Sequence, residues 1–325
     1  MKHFCLICQN EISEVFAIRE MQLGLRETFE YGLCDRCGAI SRLSEVATLS
    51  SYYPHSYHPF RQQATKGKTL KSWLRDRRDK ALLTGRATPL TRFLDLLSHQ
   101  DGTALYRLVG RYHIDPNARV LDVGCATGRL LRRMAELGFQ NLTGVDLFAP
   151  QDASPKAPAL RIVKGEMTEL HGDIFDLIMM HHSLEHCPDQ KRQLSLALNL
   201  LAPGGTLLIR QPLCDSEAFR TYRANWCQID PPRHAVVHSL NSMHLLAGQC
   251  GLTIEEVVWD STDMQFWGSE QYALDVPLND KRSYLFGPEG ALFTPREIRT
   301  WKKEAAMLNR RRAGDQAVFY LRRAS

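Results

Sequence analysis

The chain has 325 residues, of which 44% are hydrophobic and 24% charged, and its formal net charge is +5. This length allows one large α/β domain plus a small module, and the composition is typical of a soluble globular protein. The sequence has no uninterrupted apolar run of about 18 residues and its N-terminal stretch lacks an apolar core, so we predict neither a membrane span nor a secretory signal. We expect a cytoplasmic protein, in which nine cysteines favour metal ligands or buried thiols over disulfides.

Basic residues are concentrated in two stretches, 61–92 and 302–323, while the middle of the chain is nearly neutral. Solvated helix faces are the simpler explanation of such clusters. The alternative is attraction to an anionic partner, such as a nucleotide-linked sugar, an acidic glycan or RNA.

Two Cys-x-x-Cys pairs, Cys5 with Cys8 and Cys34 with Cys37, lie near the N-terminus. Two such pairs supply the four thiolates of a tetrahedral zinc site, and four thiolates leave no open position, so we predict a structural Zn²⁺ in a zinc ribbon over residues 1–48. A redox-active dithiol is the alternative. Arginine and glutamate are balanced in this module, which argues against a surface that binds nucleic-acid phosphates.

Residues 49–105 form a predicted connector that begins with an aromatic segment and continues as basic helices near 69–83 and 89–97. Aromatic segments of this kind pack across a domain junction or cover a substrate pocket. Tyr52, Tyr53, Tyr57 and His58 are therefore candidates for substrate contact.

The most informative motif is VLDVGCATGRLL at residues 120–131. Its apolar run predicts a strand, its Gly-rich segment a tight turn, and the amphipathic segment that follows a helix. A strand, a tight turn and a helix in this order begin a nucleotide-binding α/β sheet. Asp122 precedes the first glycine, Gly124, and Gly128 ends the turn. An acid at this position would repel a phosphate but suits a cationic amino-acid ligand.

This pattern resembles motif I of class I S-adenosylmethionine (SAM)-dependent methyltransferases. The resemblance implies an α/β fold with a Rossmann-like seven-stranded sheet whose last strand is antiparallel, over residues 106–325, with an insertion at about 261–312. Further strands are predicted at 141–145, 160–164, 174–180, 206–210, 252–259 and 316–321. A turn at 202–205 is predicted to end the helix before the fifth strand.

Asp146 ends the second predicted strand about 20 residues after the Gly-rich turn, where an acid accepts hydrogen bonds from ribose hydroxyls. The resemblance further places Glu166 at the adenine amino group and gives Met167 a backbone N–H contact. The complete set of cofactor-binding residues that it implies is Asp122, Gly124, Cys125, Ala126, Gly128, Asp146, Leu147, Glu166, Met167 and His181.

Catalytic candidates follow the fourth and fifth strands, since ligands of open α/β sheets bind at the carboxyl ends of strands. The segment HHSLEH at 181–186 supplies His182, Glu185 and His186, and the segment PPRH at 231–234 supplies His234. A histidine there can act as a general base, whereas a buried structural histidine is the alternative. Ser239 is a predicted N-cap for the helix that follows.

The combination of a Cys-x-x-Cys ribbon with this domain resembles bacterial zinc-ribbon methyltransferases. We therefore expect SAM and structural Zn²⁺ as cofactors and O-methylation of a small-molecule, sugar or glycan acceptor, with His234 or His186 as the base. The alternatives are an RNA base methyltransferase and a non-catalytic SAM-binding scaffold. The Asp-Pro-Pro segment at 230–232 follows the wrong strand for an amino-group DNA methyltransferase, and nucleic acid is not the favoured partner.

Overall fold

The computed structural model describes residues 2–53, 70–97, 104–149, 158–287 and 292–324. Its strands are β1 (Glu14–Arg19), β2 (Thr28–Leu33), β3 (Ile40–Arg42), β4 (Arg119–Val123), β5 (Asn141–Asp146), β6 (Leu160–Lys164), β7 (Phe175–His181), β8 (Leu201–Pro212), β9 (Val236–Val237), β10 (Leu252–Trp259) and β11 (Gln316–Arg323).

The helices that the sequence predicts near 69–83 and 89–97, after the Gly-rich turn and after Ser239 are present to within a few residues. The structure has the helices α1 (Leu70–Thr84), α2 (Pro89–Leu97), α3 (Ala104–Val109), α4 (Arg129–Glu136), α5 (Gln190–Leu200), α6 (Glu217–Tyr222), α7 (Leu240–Gln249), α8 (Met264–Ala273) and α9 (Pro295–Arg310). Ser239 caps α7 as predicted, because its side chain accepts from the backbone N–H of Ser242 in a capping box. Helices α8 and α9 fall in the predicted insertion.

Seven strands form the larger sheet in the order β10-β11-β8-β7-β4-β5-β6. Strand β4 pairs in parallel with β5 and β7, β5 pairs in parallel with β6, and β10 pairs antiparallel with β11. The predicted α/β fold with an antiparallel last strand is confirmed. One expectation was wrong: residues 202–205 belong to β8, which begins at Leu201 directly after α5, and the positive φ of Gly204 is accommodated inside the strand.

A second sheet has the order β1-β2-β3-β9, so the three strands of the N-terminal module are extended by a strand from much later in the chain. Ile40 of β3 pairs antiparallel with Val237 of β9. We call this four-stranded sheet the ribbon sheet. Its buried side chains form one hydrophobic cluster with Trp226 and Phe219. The cluster gives the small module a core that its own residues could not supply.

The chain divides into two compact units. We call the first the ribbon unit; it consists of residues Met1–Pro54, His182–Ser195 and Ile209–Ser325. The second, which we call the glycine-turn unit, consists of His55–His181 and Leu196–Leu208. In the part of the chain that the structure describes, no helix combines the length and the apolar character needed to cross a lipid bilayer.

Candidate active site

The turn between β4 and α4 lies in the glycine-turn unit and has an unusual backbone. Gly124, Ala126 and Gly128 all have positive φ, at 77°, 49° and 71°. A side chain on Gly128 would also collide with Ile162, since a Cβ there would lie 2.5 Å from its Cδ1 atom. These glycines therefore permit a tight turn that brings backbone close to any ligand beside it.

Asp146, at the end of β5, holds this turn in place. One carboxylate oxygen accepts from the backbone N–H of Ala126 at 2.8 Å, and the other accepts from that of Phe148 at 2.7 Å. A carboxylate has about four lone-pair sites, so two accepted bonds leave capacity for the hydroxyls of a bound ribose. Asp146, which is predicted to bind the ribose hydroxyls, thus also supports the glycine turn.

Asp122, at the end of β4, is a buried carboxylic acid. Burial, together with the negative charge of Asp146, raises the pKa of Asp122 to about 7. A buried carboxyl group whose ionisation is disfavoured by a neighbouring carboxylate makes a site that favours a cation. A bound ammonium or sulfonium group would relieve this repulsion.

The other residues predicted to bind the cofactor have differing surroundings. Leu147 is 56% exposed, beside a Phe148 that is 41% exposed, so the tip of β5 presents apolar surface of the kind that packs against a base. Met167 is buried, whereas Glu166 and His181 are half-buried. The thiol of Cys125 packs against the Gly144 backbone, where a Cβ would meet it at 2.6 Å. Cys125 is thus packed against β5.

The catalytic candidates lie in the ribbon unit, where hydrogen bonds fix the tautomer of each histidine. His182 Nε2 lies 3.0 Å from Nη1 of Arg210, and His182 Nδ1 lies 3.1 Å from Oε1 of Glu185. Arginine only donates, so Nε2 accepts and Nδ1–H donates to the carboxylate. Both ring nitrogens of His182 are therefore engaged, and we no longer regard it as a candidate base.

His186 and His234 each keep one ring nitrogen available. His186 Nδ1 lies 3.1 Å from the carbonyl oxygen of Arg233, and His234 Nδ1 lies 3.0 Å from that of Gln228. A carbonyl oxygen only accepts, so in these two bonds each ring donates from Nδ1 and keeps the lone pair on Nε2. The Tyr53 hydroxyl, which lies 3.0 Å from the same Nδ1 of His186, then accepts from that N–H as well. Nε2 of His234 lies 3.8 Å from Oδ2 of Asp230, beyond hydrogen-bond distance. The two rings meet edge to face, with centroids 4.7 Å apart.

The surroundings of these rings favour a neutral His234 imidazole beside an ionised Glu185. Burial, reinforced by the neighbouring His186, lowers the pKa of His234 to about 4. Burial opposes the ionisation of Glu185, but the hydrogen bond from His182 and the nearby imidazoles outweigh it and lower the pKa of Glu185. His234 thus enters a reaction near neutral pH as a proton acceptor.

A buried ion network, which local sequence patterns do not predict, holds the His234 loop against the ribbon sheet. Arg233 donates to both carboxylate oxygens of Asp230 and to Oε1 of Glu20, which lies 3.0 Å away; Arg233 and Glu20 are fully buried. Tyr31 of β2 donates to the carbonyl oxygen of His234 at 2.8 Å. The only available signal was the Asp-Pro-Pro-Arg-His segment, from which His234 was selected as a candidate base while Asp230 and Arg233 were given no role.

The aromatic connector contributes two tyrosines with different roles. Tyr52 is buried in the core of the ribbon sheet and donates to Glu27, so its position is structural. The hydroxyl of Tyr53 lies 3.0 Å from Nδ1 of His186, next to the histidine pair. The candidates Tyr57 and His58 lie outside the described residues.

The four cysteines of the N-terminal module converge. Cys5, Cys8, Cys34 and Cys37 have sulfur atoms within 4.8 Å of one another, and the Cys5–Cys37 and Cys8–Cys34 pairs are each 3.5 Å apart. Thiolates bound tetrahedrally to Zn²⁺ at about 2.3 Å would be about 3.8 Å apart, so the cluster fits that ion. Ser239 donates to the Cys37 carbonyl, which ties this cluster to the N-terminus of α7.

Comparisons with known proteins agree with this geometry. Residues 96–257 match a family model described as a methyltransferase domain. These residues therefore form a class I SAM-dependent methyltransferase domain.

Part of the chain is similar to curated O-methyltransferases. The chain is 37% identical over 105 residues to the ubiquinone biosynthesis O-methyltransferase of Xanthomonas campestris, an alignment covering 29% of this chain and 43% of that protein. The protein of the same name from Psychrobacter cryohalolentis is 32% identical over 101 residues, covering 28% and 39%. The chain thus spans about two fifths of the length of these relatives.

Among solved structures, a SAM-dependent methyltransferase from Mesorhizobium loti aligns with a TM-score of 0.42 and 18% identity, over 66% of this chain and 95% of that one.

Proposed function

We propose that the protein transfers a methyl group from SAM to a hydroxyl oxygen of a small organic molecule. The observation that carries this proposal is the pair of imidazoles, His186 and His234, which both present an unprotonated Nε2 beside the ionised Glu185. Such a group removes a proton from a hydroxyl near neutral pH. The relatives whose printed names specify O-methyl transfer support the same reaction.

The glycine-turn unit would hold SAM. Asp146 would accept from the ribose hydroxyls, the exposed Leu147 and the neighbouring Glu166 and Met167 would contact the adenine, and Asp122 would face the cationic amino-acid part. When bound, SAM supplies a methyl group on a positively charged sulfur that departs as a neutral thioether. Gly124, Cys125, Ala126, Gly128 and His181 complete the proposed pocket.

The ribbon unit would hold the acceptor. In our proposal, Nε2 of His186 or His234 takes the proton of the acceptor hydroxyl, and the carboxylate of Glu185 stabilises the resulting imidazolium. His182 is a positioning residue, because it joins the Arg210 guanidinium to Glu185 and fixes the orientation of that carboxylate.

Structural Zn²⁺ at the four cysteines is part of the same proposal. With residues 1–48 as the zinc ribbon, 49–105 as the connector and 106–325 as the catalytic domain, the metal's role would be to rigidify the module that supports the His234 loop. Strand β9 begins two residues after His234 and pairs with β3. The ribbon would thus act on catalysis through the position of His234.

Methyl-labelled SAM tests the proposed reaction. The purified chain is incubated with labelled SAM and, separately, with phenols, sugars and RNA, and the products are analysed by mass spectrometry. We expect label in an O-methyl ether of a small hydroxyl compound. Label in an RNA base would instead support the RNA methyltransferase, and SAM binding without transfer to any acceptor would support the scaffold. The relatives' names mention neither a sugar nor RNA, so we place phenols and other small hydroxyl compounds first.

A further inference from the structure

Besides the four cysteines, the described residues contain a second group with metal-ligand chemistry. One donor atom from each of Glu185, His186 and His234 lies within 4.8 Å of the other two. The group mixes two imidazoles with one carboxylate, and all three side chains belong to the ribbon unit. A metal ion here would be distinct from the proposed zinc of the ribbon.

The two imidazoles have the hydrogen-bond pattern of metal ligands. Histidines that bind metals usually donate the N–H of the other ring nitrogen to a carbonyl or carboxylate, which fixes the ring and makes the binding nitrogen more basic. His186 and His234 each donate from Nδ1 to a backbone carbonyl, of Arg233 and of Gln228. Each therefore has Nε2 left to bind an ion.

The carboxylate offers an independent observation. Glu185 is 1% exposed, and its Oε1 accepts from His182. Its other oxygen, Oε2, is buried and has no hydrogen-bond partner among the residues that the structure describes. Burying a carboxylate oxygen without a hydrogen-bond partner raises the free energy of the folded state, and a bound cation would offset that increase.

We propose that Glu185, His186 and His234 bind a divalent first-row transition-metal ion, such as Zn²⁺ or Co²⁺. Two imidazoles and one carboxylate suit these ions better than Mg²⁺ or Ca²⁺, which prefer oxygen ligands. Donor atoms around tetrahedral Zn²⁺ are about 3.3 Å apart, so a movement of roughly 1 Å would close the cluster around the ion. Three protein ligands leave a position open for an exogenous oxygen.

The role of this ion rests on the proposed function, because the open position is where the acceptor hydroxyl would bind. The positive charge of the ion lowers the pKa of a bound hydroxyl, whose proton then passes to water, and the resulting oxygen anion forms the new C–O bond as the C–S bond breaks toward sulfur. With both Nε2 atoms bound to the metal, neither imidazole takes the proton. The metal would replace the imidazole as the activating group.

Cobalt substitution of the full-length chain distinguishes the two sites. Co²⁺ bound to thiolates absorbs strongly in the near ultraviolet, whereas Co²⁺ bound to nitrogen and oxygen shows only weak visible bands. We expect two Co²⁺ per chain, one with each signature. Glu185→Gln and His186→Gln, which keep similar side-chain volumes, should each lose the second ion and retain the first. His244→Gln, on the exposed side of α7, is the matched control and should retain both.

The thiolate signature also reports whether each variant is folded, so a misfolded variant is recognised by losing both signals. A single Co²⁺ per chain with only the thiolate signature would overturn the inference, as would a second ion that persists in both Glu185→Gln and His186→Gln. Removal of the second ion with no change in methyl transfer would overturn its proposed role and leave the imidazole base of the proposed function standing. Absence of SAM binding would overturn the proposed function without changing the metal count.

Discussion

The two halves of the proposed reaction are constructed in different ways. The SAM side lies in the glycine-turn unit and depends on a local segment in which a strand, a turn and one acid from the next strand bond to one another within 27 residues of sequence (120–146). The acceptor side lies in the ribbon unit and combines residues as distant as Glu20, Tyr53, Glu185 and His234. Local backbone geometry therefore forms the SAM side, whereas packing between residues distant in sequence forms the acceptor side.

We therefore expect substitutions on the two sides to change different properties of the protein. Changes on the SAM side should alter cofactor affinity and leave the fold intact, because the glycine turn is short. Changes on the acceptor side should alter stability and turnover together, because the same buried network supports both.

Replacing either histidine with a free Nε2 tests the acceptor side most strongly. We expect His186→Gln or His234→Gln to reduce kcat about 10²- to 10⁴-fold, the usual contribution of a general base, while the Kd for SAM stays the same. Steady-state kinetics and calorimetry measure the two quantities. His244→Gln serves as the control with unchanged kcat. An altered SAM affinity with unchanged turnover would contradict the division between the two halves.

Removing Arg233 tests the buried network. Arg233→Met leaves Glu20 and Asp230 buried without their cation, which we expect to lower the free energy of unfolding by about 3–5 kcal/mol. Equilibrium unfolding in urea measures this free energy. The control is Arg220→Met, which breaks an exposed pair with Glu217 and should cost less than about 1 kcal/mol. Equal losses in the two variants would show that burial of the network is unimportant.

The raised pKa of Asp122 leads us to expect an unusual pH dependence of folding stability. Its folded-state pKa of about 7 exceeds its ordinary value of 3.8, so the folded state binds the proton more tightly and stability falls as pH rises between these values. We expect the SAM-free protein to lose up to a few kcal/mol over this range and Asp122→Asn to abolish that part of the slope. Unfolding at several pH values, with and without SAM, is the measurement. A slope that Asp122→Asn leaves unchanged would refute the assignment.

Among these variants, we expect replacement of Ser239 to change stability the least. Ser239→Ala removes the N-cap of α7 and the bond to the Cys37 carbonyl, and we expect a loss of about 1 kcal/mol in stability with unchanged SAM affinity. Thermal unfolding checks the first quantity and calorimetry the second. Weaker SAM binding in this variant would mean that the ribbon unit influences the cofactor site.

The contrast also explains how much the sequence could predict. The glycine turn and the cap at Ser239 depend on neighbouring residues, and both were predicted from local spacing. The antiparallel last strand was expected from the resemblance to class I methyltransferases. The roles of Arg233, Glu20 and Arg210 depend on partners up to about 210 residues away, and nothing in local spacing pairs them. His182 was grouped with the candidate bases for the same reason, since its engagement depends on a guanidinium 28 residues further along the chain.

Calorimetric titration of SAM into the wild-type chain and into Asp146→Ala tests whether the glycine-turn unit binds SAM, with Asp173→Ala, two residues before β7, as the control. The account predicts one SAM per chain. It also predicts affinity at least tenfold weaker in Asp146→Ala, where the N–H groups of Ala126 and Phe148 lose their acceptor. The control should bind as wild type does. Wild-type affinity in Asp146→Ala, or no binding by the wild-type chain, would contradict the account.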